Sequence, residues 1–505
     1  MFYLISIVFS LKLLLIIVDT LVARPAPAAS AAPASSPSPH ASSLPFSVPS
    51  AALDAVFIYT SGTTGRPKGV RVRHSALLSQ VTGQVAAWGW RPADCITNVL
   101  PLHHVHGFAN VVCTALWVGA RLNFLPKARS GFDPAAQWDA WTHAANSLSQ
   151  SPAQSPSQAD AQDQARSAVK SAVTAAERDA VFGRQTLFMA VPTIYDHLVR
   201  SAPAAPAAAT AACAPLRLMV SGSMALPATT LARWRALSGH TLLERYGMTE
   251  IGMALTNPLD PAKRVPGAVG KPFPGVQVRI RISADADADV ESAGKKATDA
   301  HTLSGNKSAE VDAKEEDDAD PVAWGPGELL VRGPSVFRAY WRRDDATAEA
   351  FESAPEPTSS GAKESEPWFL TGDVVSVSRG GVWRILGRAS VDILKVSGFK
   401  VSALDVERTL LEHPGIREVA VLGLPSDAYG QTIAAVVVPN HDAAAAGTEP
   451  LDLAALREWA APRMARYKLP RALWLCDQIP RNAMGKVNKK HLAKIFPREL
   501  DPENK

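Results

Sequence analysis

The chain has 505 residues, enough for two or more domains and a large buried core, which excludes a peptide or a disulfide-stapled module. Apolar residues make up 47% and charged ones 20%, and 52 Lys and Arg against 48 Asp and Glu leave a formal charge of +4, too small at this size to argue for nucleic acid or an anionic membrane as the main partner. Cys95, Cys113, Cys213 and Cys476 are scattered without a CxxC spacing, so neither a zinc site nor a disulfide framework is suggested and a reducing compartment is the default.

Phe2 to Ala23 is almost wholly apolar and long enough to cross a bilayer or serve as a secretory core, although it lacks a signal peptide's basic leader. Arg24 to Pro49 is rich in Ala, Pro and Ser and has no acid, the composition of a linker or of an organelle transit sequence. Residues 1–51 are therefore read as an apolar segment and low-complexity leader, for which a membrane or targeting role through residues 2–23 and an incorrectly assigned N-terminus both stay open. Ordered sequence begins near Leu53. Val56 to Tyr59 predicts a short buried strand ending in a Thr/Ser/Gly loop, and His74 to Trp88 a helix after it. Apolar strands around Leu100, Leu122, Leu187, Leu218, Leu242 and Val278 alternate with helical periods, the pattern of a layered α/β domain over 52–388. Polar insertions at 147–175, 284–320 and 353–366 read as solvated loops. Residues 389–500 predict a separate small α+β domain: helix Ala403 to Glu412, strands Glu418 to Gly423 and Thr432 to Val438, helix Asp452 to Ala460, then a basic tail.

The densest motif is Tyr59-Thr60-Ser61-Gly62-Thr63-Thr64-Gly65-Arg66-Pro67-Lys68-Gly69. Glycines and small hydroxyl residues leave backbone N–H groups free to approach phosphate oxygens; Ser61, Thr63 and Thr64 add donors and Lys68 adds charge. It is not a Walker A loop, because the Gly-Lys-[Ser/Thr] ending is missing. On chemistry alone a phosphate role competes with a plain flexible turn. The full string, however, resembles the signature loop of the adenylate-forming superfamily, which contains acyl-CoA synthetases, luciferases and peptide-synthetase adenylation domains.

Further blocks follow in that superfamily's order, and the resemblance implies a role for each. His104, in Leu100-Pro101-Leu102-His103-His104-Val105-His106-Gly107, is placed beside the acyl carboxylate; read alone, the three histidines could suggest a metal, but no acidic or cysteine partner recurs nearby. Ser221, Gly222 and Ser223 resemble the loop flanking adenine. In Arg245-Tyr246-Gly247-Met248-Thr249-Glu250, Tyr246 and Gly247 are expected at the adenine face, Thr249 at phosphate and Glu250 on Mg²⁺, where a single carboxylate suffices because a hard cation also takes phosphate oxygens. Asp373, in Trp368-Phe369-Leu370-Thr371-Gly372-Asp373, is expected to accept both ribose hydroxyls. Arg388 is expected at ribose or phosphate, Ser390 at the hinge between domains, and Gly398 beside the pantetheine channel. Lys486 resembles the lysine that drives adenylation by bridging the carboxylate and the α-phosphate. The implied co-substrates are ATP and coenzyme A, with Mg²⁺.

Within the superfamily, the histidine block, the stretch Arg245 to Leu255 and Arg264-Val265-Pro266-Gly267-Ala268-Val269-Gly270 are most similar to malonyl-CoA and methylmalonyl-CoA synthetases. A dicarboxylate's distal charge cannot enter an apolar pocket unpaired. Arg264 matches the arginine expected there, with His197 and Met253 as further substrate contacts; His197 stands where related enzymes carry Arg or Lys. Two other readings stay open: a synthetase for a monocarboxylic acid, and a membrane-associated, non-catalytic nucleotide-binding remnant. The latter arises because family members carry a long α/β segment ahead of the phosphate loop that Met1 to Ser50 does not resemble, so the large domain is expected to be truncated and to expose apolar surface. By resemblance the compartment is mitochondrial or cytoplasmic.

Overall fold

The computed structural model describes residues 50–60, 67–124, 132–149, 184–282, 302–304, 322–352, 366–440, 451–481 and 487–502. Strands β1 (Asp54–Thr60) and β2 (Lys68–Arg73) form an antiparallel hairpin that feeds helix α1 (His74–Trp88). The helix stops where Gly89 takes φ +57°, a left-handed conformation that glycine adopts without a Cβ penalty. Strands β3 (Cys95–Thr97), β4 (Arg121–Asn123), β5 (Leu187–Ala190), β6 (Leu218–Ser221) and β7 (Leu243–Met248) lie parallel in the order β4-β3-β5-β6-β7, and β8 (Gly252–Thr256) and β9 (Lys271–Pro272) extend the sheet antiparallel. Every residue of β3, β5 and β6 is buried, which is why they read as short unbroken apolar runs rather than alternating ones.

A π-helix (His106–Cys113) runs on into α2 (Thr114–Val118), and α3 (Pro134–Ser149), α4 (Pro192–Arg200), α5 (Pro206–Cys213) and α6 (Ala228–Ser238) complete the cover of this sheet. Trp138, Trp141, Phe188, Tyr195 and Trp234 meet edge-on or tilted, with ring centroids 4.9–6.3 Å apart, locking α3, α4 and α6 to β5. Asp94 is buried between the end of α1 and the sheet. Burial alone raises its pKa, but the bidentate Arg217 guanidinium at 2.8 and 2.6 Å and hydrogen bonds from the Arg91 N–H and the Thr186 hydroxyl leave it net below the usual value.

A second sheet is antiparallel: β10 (Gln277–Arg281), β11 (Thr302–Ser304), β12 (Val322–Arg332), β14 (Phe369–Ser378) and β15 (Trp383–Arg388), in the order β11-β10-β12-β14-β15. The short β13 (Ala339–Tyr340) instead joins β2, ahead of α7 (Asp344–Ala350). The small unit contains β16 (Ile393–Val396), β17 (Phe399–Ser402), α8 (Ala403–Leu410), β18 (Ile416–Ser426), β19 (Gly430–Pro439), α9 (Leu453–Ala460), β20 (Ala472–Leu475) and α10 (Lys489–Lys494). Its β18–β19 pair alternates between two apolar clusters: Val421, Ile433 and Ala435 pack toward α8 and α9, while Leu422, Ala434 and Val436 pack toward Leu492 of α10. Ser402 and Asp452 cap α8 and α9, the two helices expected here, through their side-chain oxygens; Asn488 caps α10, a helix within what was expected to be a basic tail.

Two expectations need correction. Leu100 is buried but lies in the irregular segment after β3, where Pro101 follows and interrupts strand hydrogen bonding. Thr302 to Ser304, inside the acidic insertion, is not a loop: it pairs with Gln277 to Arg279 and adds a strand to the second sheet. Most of the three insertions, and residues 1–49 with the apolar stretch, lie outside the described residues. Among the described residues, no helix is long and apolar enough to cross a membrane.

Candidate active site

The hairpin β1–β2 brings Thr60 opposite Lys68, so the phosphate loop springs from two neighbouring strand ends. Ser61, Gly62, Thr63, Thr64 and Gly65 lie outside the described residues. The Lys68 ammonium sits 4.8 Å from the centre of the Tyr340 ring, a cation–π distance, and the Tyr340 hydroxyl donates to Glu250 Oε1 at 3.0 Å. Glu250 is held from behind as well, its carbonyl accepting the Phe337 N–H at 2.7 Å. Burial raises the Glu250 carboxyl above the ordinary value, opposed by the Tyr340 hydrogen bond and by the charges of Arg388 and Lys68. Thr249 and Glu250 occupy the tip of the β7–β8 hairpin. Gly247 lies beneath that tip because a Cβ there would fall 2.1 Å from the Gly252 carbonyl.

Strand β14 sets Asp373 opposite Arg388 of β15. The Tyr246 hydroxyl donates to Asp373 Oδ2 at 2.6 Å and Arg388 Nε to Oδ1 at 2.9 Å, while Arg388 Nη1 reaches the Thr371 carbonyl at 2.6 Å. A carboxylate offers about four lone-pair sites, so it can accept from several donors at once. Glu250 and Asp373 thus share the field of one arginine, and Lys68, Thr249, Tyr246 and Arg388 surround them.

Beside this cluster is a buried cation. Arg245 is 3% exposed, and among the described residues it has no carboxylate partner and its Nε has no hydrogen-bond acceptor. Burial lowers its pKa to about 9. Gly222 makes room for it, since a Cβ there would sit 2.6 Å from the guanidinium carbon. Arg245 Nη2 is 3.5 Å from the Ser223 hydroxyl, which is 3.4 Å from His106 Nδ1, and Ser223 holds a left-handed φ of +68° to place it there. His106 is buried with Nε2 unpartnered among the described residues; burial, then the charges of Arg245 and His104, keep it well below the ordinary histidine pKa. Ser221 is buried and its hydroxyl has no partner there either. His104 is half-buried next to His106, its Nδ1 accepting the His106 N–H at 3.4 Å. The histidine block folds back so tightly that a Cβ on Gly107 would meet the Pro101 carbonyl at 2.4 Å.

Other expected residues lie elsewhere. Arg264 donates to the carbonyls of Thr241, Pro258 and Leu259, so its guanidinium clasps a loop. His197 is exposed near the end of α4, where its carbonyl accepts from Ser201. Met253 is buried in the core opposite Gly247. Gly398, at φ +85° beside Ser397 at +51°, forms the two-residue turn between β16 and β17, and is exposed with open space where a Cβ would stand. Lys486 is outside the described residues. Three residues were not singled out by sequence: Arg245, His106 as an inward-facing donor, and Tyr340. None of the three carried a clear sign in the sequence, since Arg245 follows Glu244 and the pair reads as an ordinary charged step.

Glu244, next in the chain, is buried with its carboxylate accepting the Gly267 N–H at 2.8 Å; burial raises its pKa to about 7, against the pull of Arg408 and Arg384. An acid raised this way favours the fold while protonated in it, and that advantage is lost as pH climbs from 4.5 through 7. Glu244→Gln, which keeps the acceptor, is expected to stabilise the chain at pH 8 by up to about 3 kcal/mol and to change little at pH 4.5. Chemical denaturation at the two pH values checks this; an equal effect at both contradicts it.

The layered α/β unit followed by a small α+β unit, with the β1–β2 hairpin, Asp373 and the acidic tip of the β7–β8 hairpin brought close together, is the architecture of adenylate-forming proteins. The chain belongs to the AMP-binding enzyme family: the family's model matches residues 12–178 and 174–341, and that of the AMP-binding enzyme C-terminal domain matches 405–486. It is 42% identical over 449 residues to the mitochondrial malonate–CoA ligase ACSF3 of Homo sapiens, covering 88% of this chain and 66% of that protein, and 36% identical to a malonate–CoA ligase of Arabidopsis thaliana, covering 87% and 60%. The chain therefore spans 60–66% of the length of these curated relatives. Among solved structures, ATP-bound MatB from Rhodopseudomonas palustris superposes with a TM-score of 0.66 at 28% identity, over 90% of this chain and 70% of that one.

Proposed function

We propose that the chain is an ATP-dependent malonate–CoA ligase. The observation that carries the substrate assignment is Arg245: a desolvated guanidinium with an unused Nε, beside the Ser223 hydroxyl and His106, is built to receive a carboxylate that no described side chain supplies. The likeness to malonate–CoA ligases supports it, and Arg245 takes the distal-carboxylate role expected of Arg264. A monocarboxylate would leave Arg245 unpaired.

In the first half-reaction the reacting carboxylate attacks the α-phosphorus of ATP; the new P–O bond forms as the bond to the bridging oxygen breaks and pyrophosphate leaves. In the second, a thiol attacks the acyl carbon and AMP departs. Asp373, held by Tyr246 and Arg388, takes the ribose hydroxyls and so fixes the α-phosphate in register with Thr249 and Lys68. His104 borders the reacting carboxylate, and Lys486 supplies the compact charge for the transition state. The Ser221–Ser223 loop would flank adenine on one side and Arg245 on the other. The donor set fits magnesium: Glu250 and the Thr249 hydroxyl offer hard oxygens, and among the described residues no cluster of three or more His, Cys, Asp or Glu side chains forms a protein cage, so an ion here would share phosphate oxygens. Bound there, it would neutralise the pyrophosphate charge.

Coenzyme A is the proposed thiol, and the compartment of the named mitochondrial relative is the one proposed for this chain. Pyrophosphate exchange into ATP tests the reading: exchange is expected with malonate or methylmalonate and to be at least about tenfold weaker with acetate or butyrate. ATP binding without exchange for any acid would favour the non-catalytic reading, and equal exchange with butyrate the monocarboxylate one.

A further inference from the structure

Lys489 stands three residues beyond Lys486, at the first position of α10. Its ammonium is 2.6 Å from Asp392 Oδ1 and 2.7 Å from Glu407 Oε1, and the three side chains are only 11, 13 and 15% exposed. Two buried carboxylates this close repel unless a cation lies between them. Burial lowers the Lys489 pKa, but the two carboxylates more than offset it and hold the ammonium charged. Glu407 is anchored further by the Val421 N–H at 2.8 Å.

Asp392 faces both ways. Its Oδ1 belongs to the Lys489 cluster of the small unit, whereas Oδ2 accepts the backbone N–H of Arg388 at 2.9 Å, on the other side of Ser390. The Asp392 N–H returns a bond to the Arg388 carbonyl at 2.8 Å. Gly387 permits this approach, since a Cβ there would come within 2.4 Å of Asp392 Cβ. Arg388 in turn holds Asp373. An unbroken run of polar contacts therefore leads from the ribose-facing carboxylate, across the expected hinge, to α10. In the same arrangement Gly398 is exposed, and among the described residues nothing stands where its Cβ would be.

We propose that Lys489 is a positioning residue for acyl-adenylate formation: by fixing Asp392 it fastens the small unit to Arg388 in the arrangement that leaves Gly398 facing solvent. This role rests on the ligase reading above. Thioester formation, which needs the Gly398 face turned inward, requires the Arg388–Asp392 contact to open and so does not depend on Lys489.

The test uses the full chain with Lys489→Met and Lys489→Arg. Lys489→Met is expected to lower malonate-dependent ATP–pyrophosphate exchange about thirtyfold at saturating substrates, with the KM for malonate and the rate of thioester formation from supplied acyl-adenylate each within about threefold of the parent. Hydrogen exchange at the Arg388 amide should quicken at least about tenfold, and Lys489→Arg should restore both readouts. Because losing the ammonium strands two carboxylates, Lys489→Met combined with Glu407→Gln serves as a second variant: it relieves the repulsion but still leaves Asp392 unheld, so the same selective loss is expected. Equal losses in the two half-reactions, or an unchanged Arg388 amide, would overturn the role while leaving the ligase reading intact. A parent chain with no acid-dependent exchange would overturn the ligase reading and this role with it.

Discussion

Arg245→Met is expected to raise the melting temperature of the ligand-free chain while raising the KM for malonate by about a hundredfold or more. Both effects have one cause. Burial pulls the guanidinium pKa down to about 9, well below its ordinary value, so the charged form is penalised in the fold, fully below pH 9 and not at all once the unfolded chain also loses the proton. Methionine fills similar space without charge and removes a penalty on the order of a few kcal/mol at pH 7. The same exchange deletes the only side chain in the described pocket that can form a bidentate contact with the distal carboxylate, leaving that charge buried and unpaired. Butyrate, which makes no such demand, should bind the variant at least as well as the parent. Thermal melts and steady-state kinetics with both acids check this. A lower melting temperature, or equal shifts in KM for the two acids, would show that Arg245 is a structural cation instead.

Glu250→Gln is expected to lower kcat by about a hundredfold to a thousandfold and to raise the Mg²⁺ concentration needed for half-maximal rate, without lowering thermal stability. Burial already raises the Glu250 carboxyl, so neutralising it removes a desolvation cost, and the amide oxygen can still accept the Tyr340 hydroxyl. Tyr340→Phe retains the carboxylate and loses only its orienting bond, so a decrease of roughly tenfold with little change in Mg²⁺ requirement is expected. A Glu250→Gln variant that melts earlier and keeps its Mg²⁺ dependence would make the residue a structural acid of the β7–β8 hairpin.

The chemistry-bearing blocks were legible in the chain because they are contiguous. The string Thr60 to Lys68, the run Tyr246 to Glu250, and Asp373 each combine residue types that have few other uses together, and the structure brings Lys68, Glu250, Arg388, Asp373 and Tyr246 around one place. Helix α1 was readable to the residue, with Gly89 stopping it, and the caps Ser402 and Asp452 marked the helices of the small unit. The strand Thr302 to Ser304 was not legible: its acidic surroundings suggest a loop, and only pairing with β10 across a long insertion makes it a strand.

Arg245 and Arg264 show the boundary most plainly. Both are arginines in promising blocks, and residue type, charge and neighbours do not separate them. What distinguishes them is where each guanidinium finds its acceptors. Arg264 is surrounded by the carbonyls of an irregular loop and satisfies itself there, whereas Arg245 projects from a paired strand and, among the described residues, makes its one side-chain hydrogen-bond contact with the Ser223 hydroxyl beside Gly222. The amino-acid sequence alone determined the family and the nucleotide chemistry, since those depend on local strings of residues. Which arginine keeps an unpartnered guanidinium nitrogen among the described residues was decided by tertiary structure, because hydrogen-bond satisfaction of a buried charge is a property of its three-dimensional neighbours.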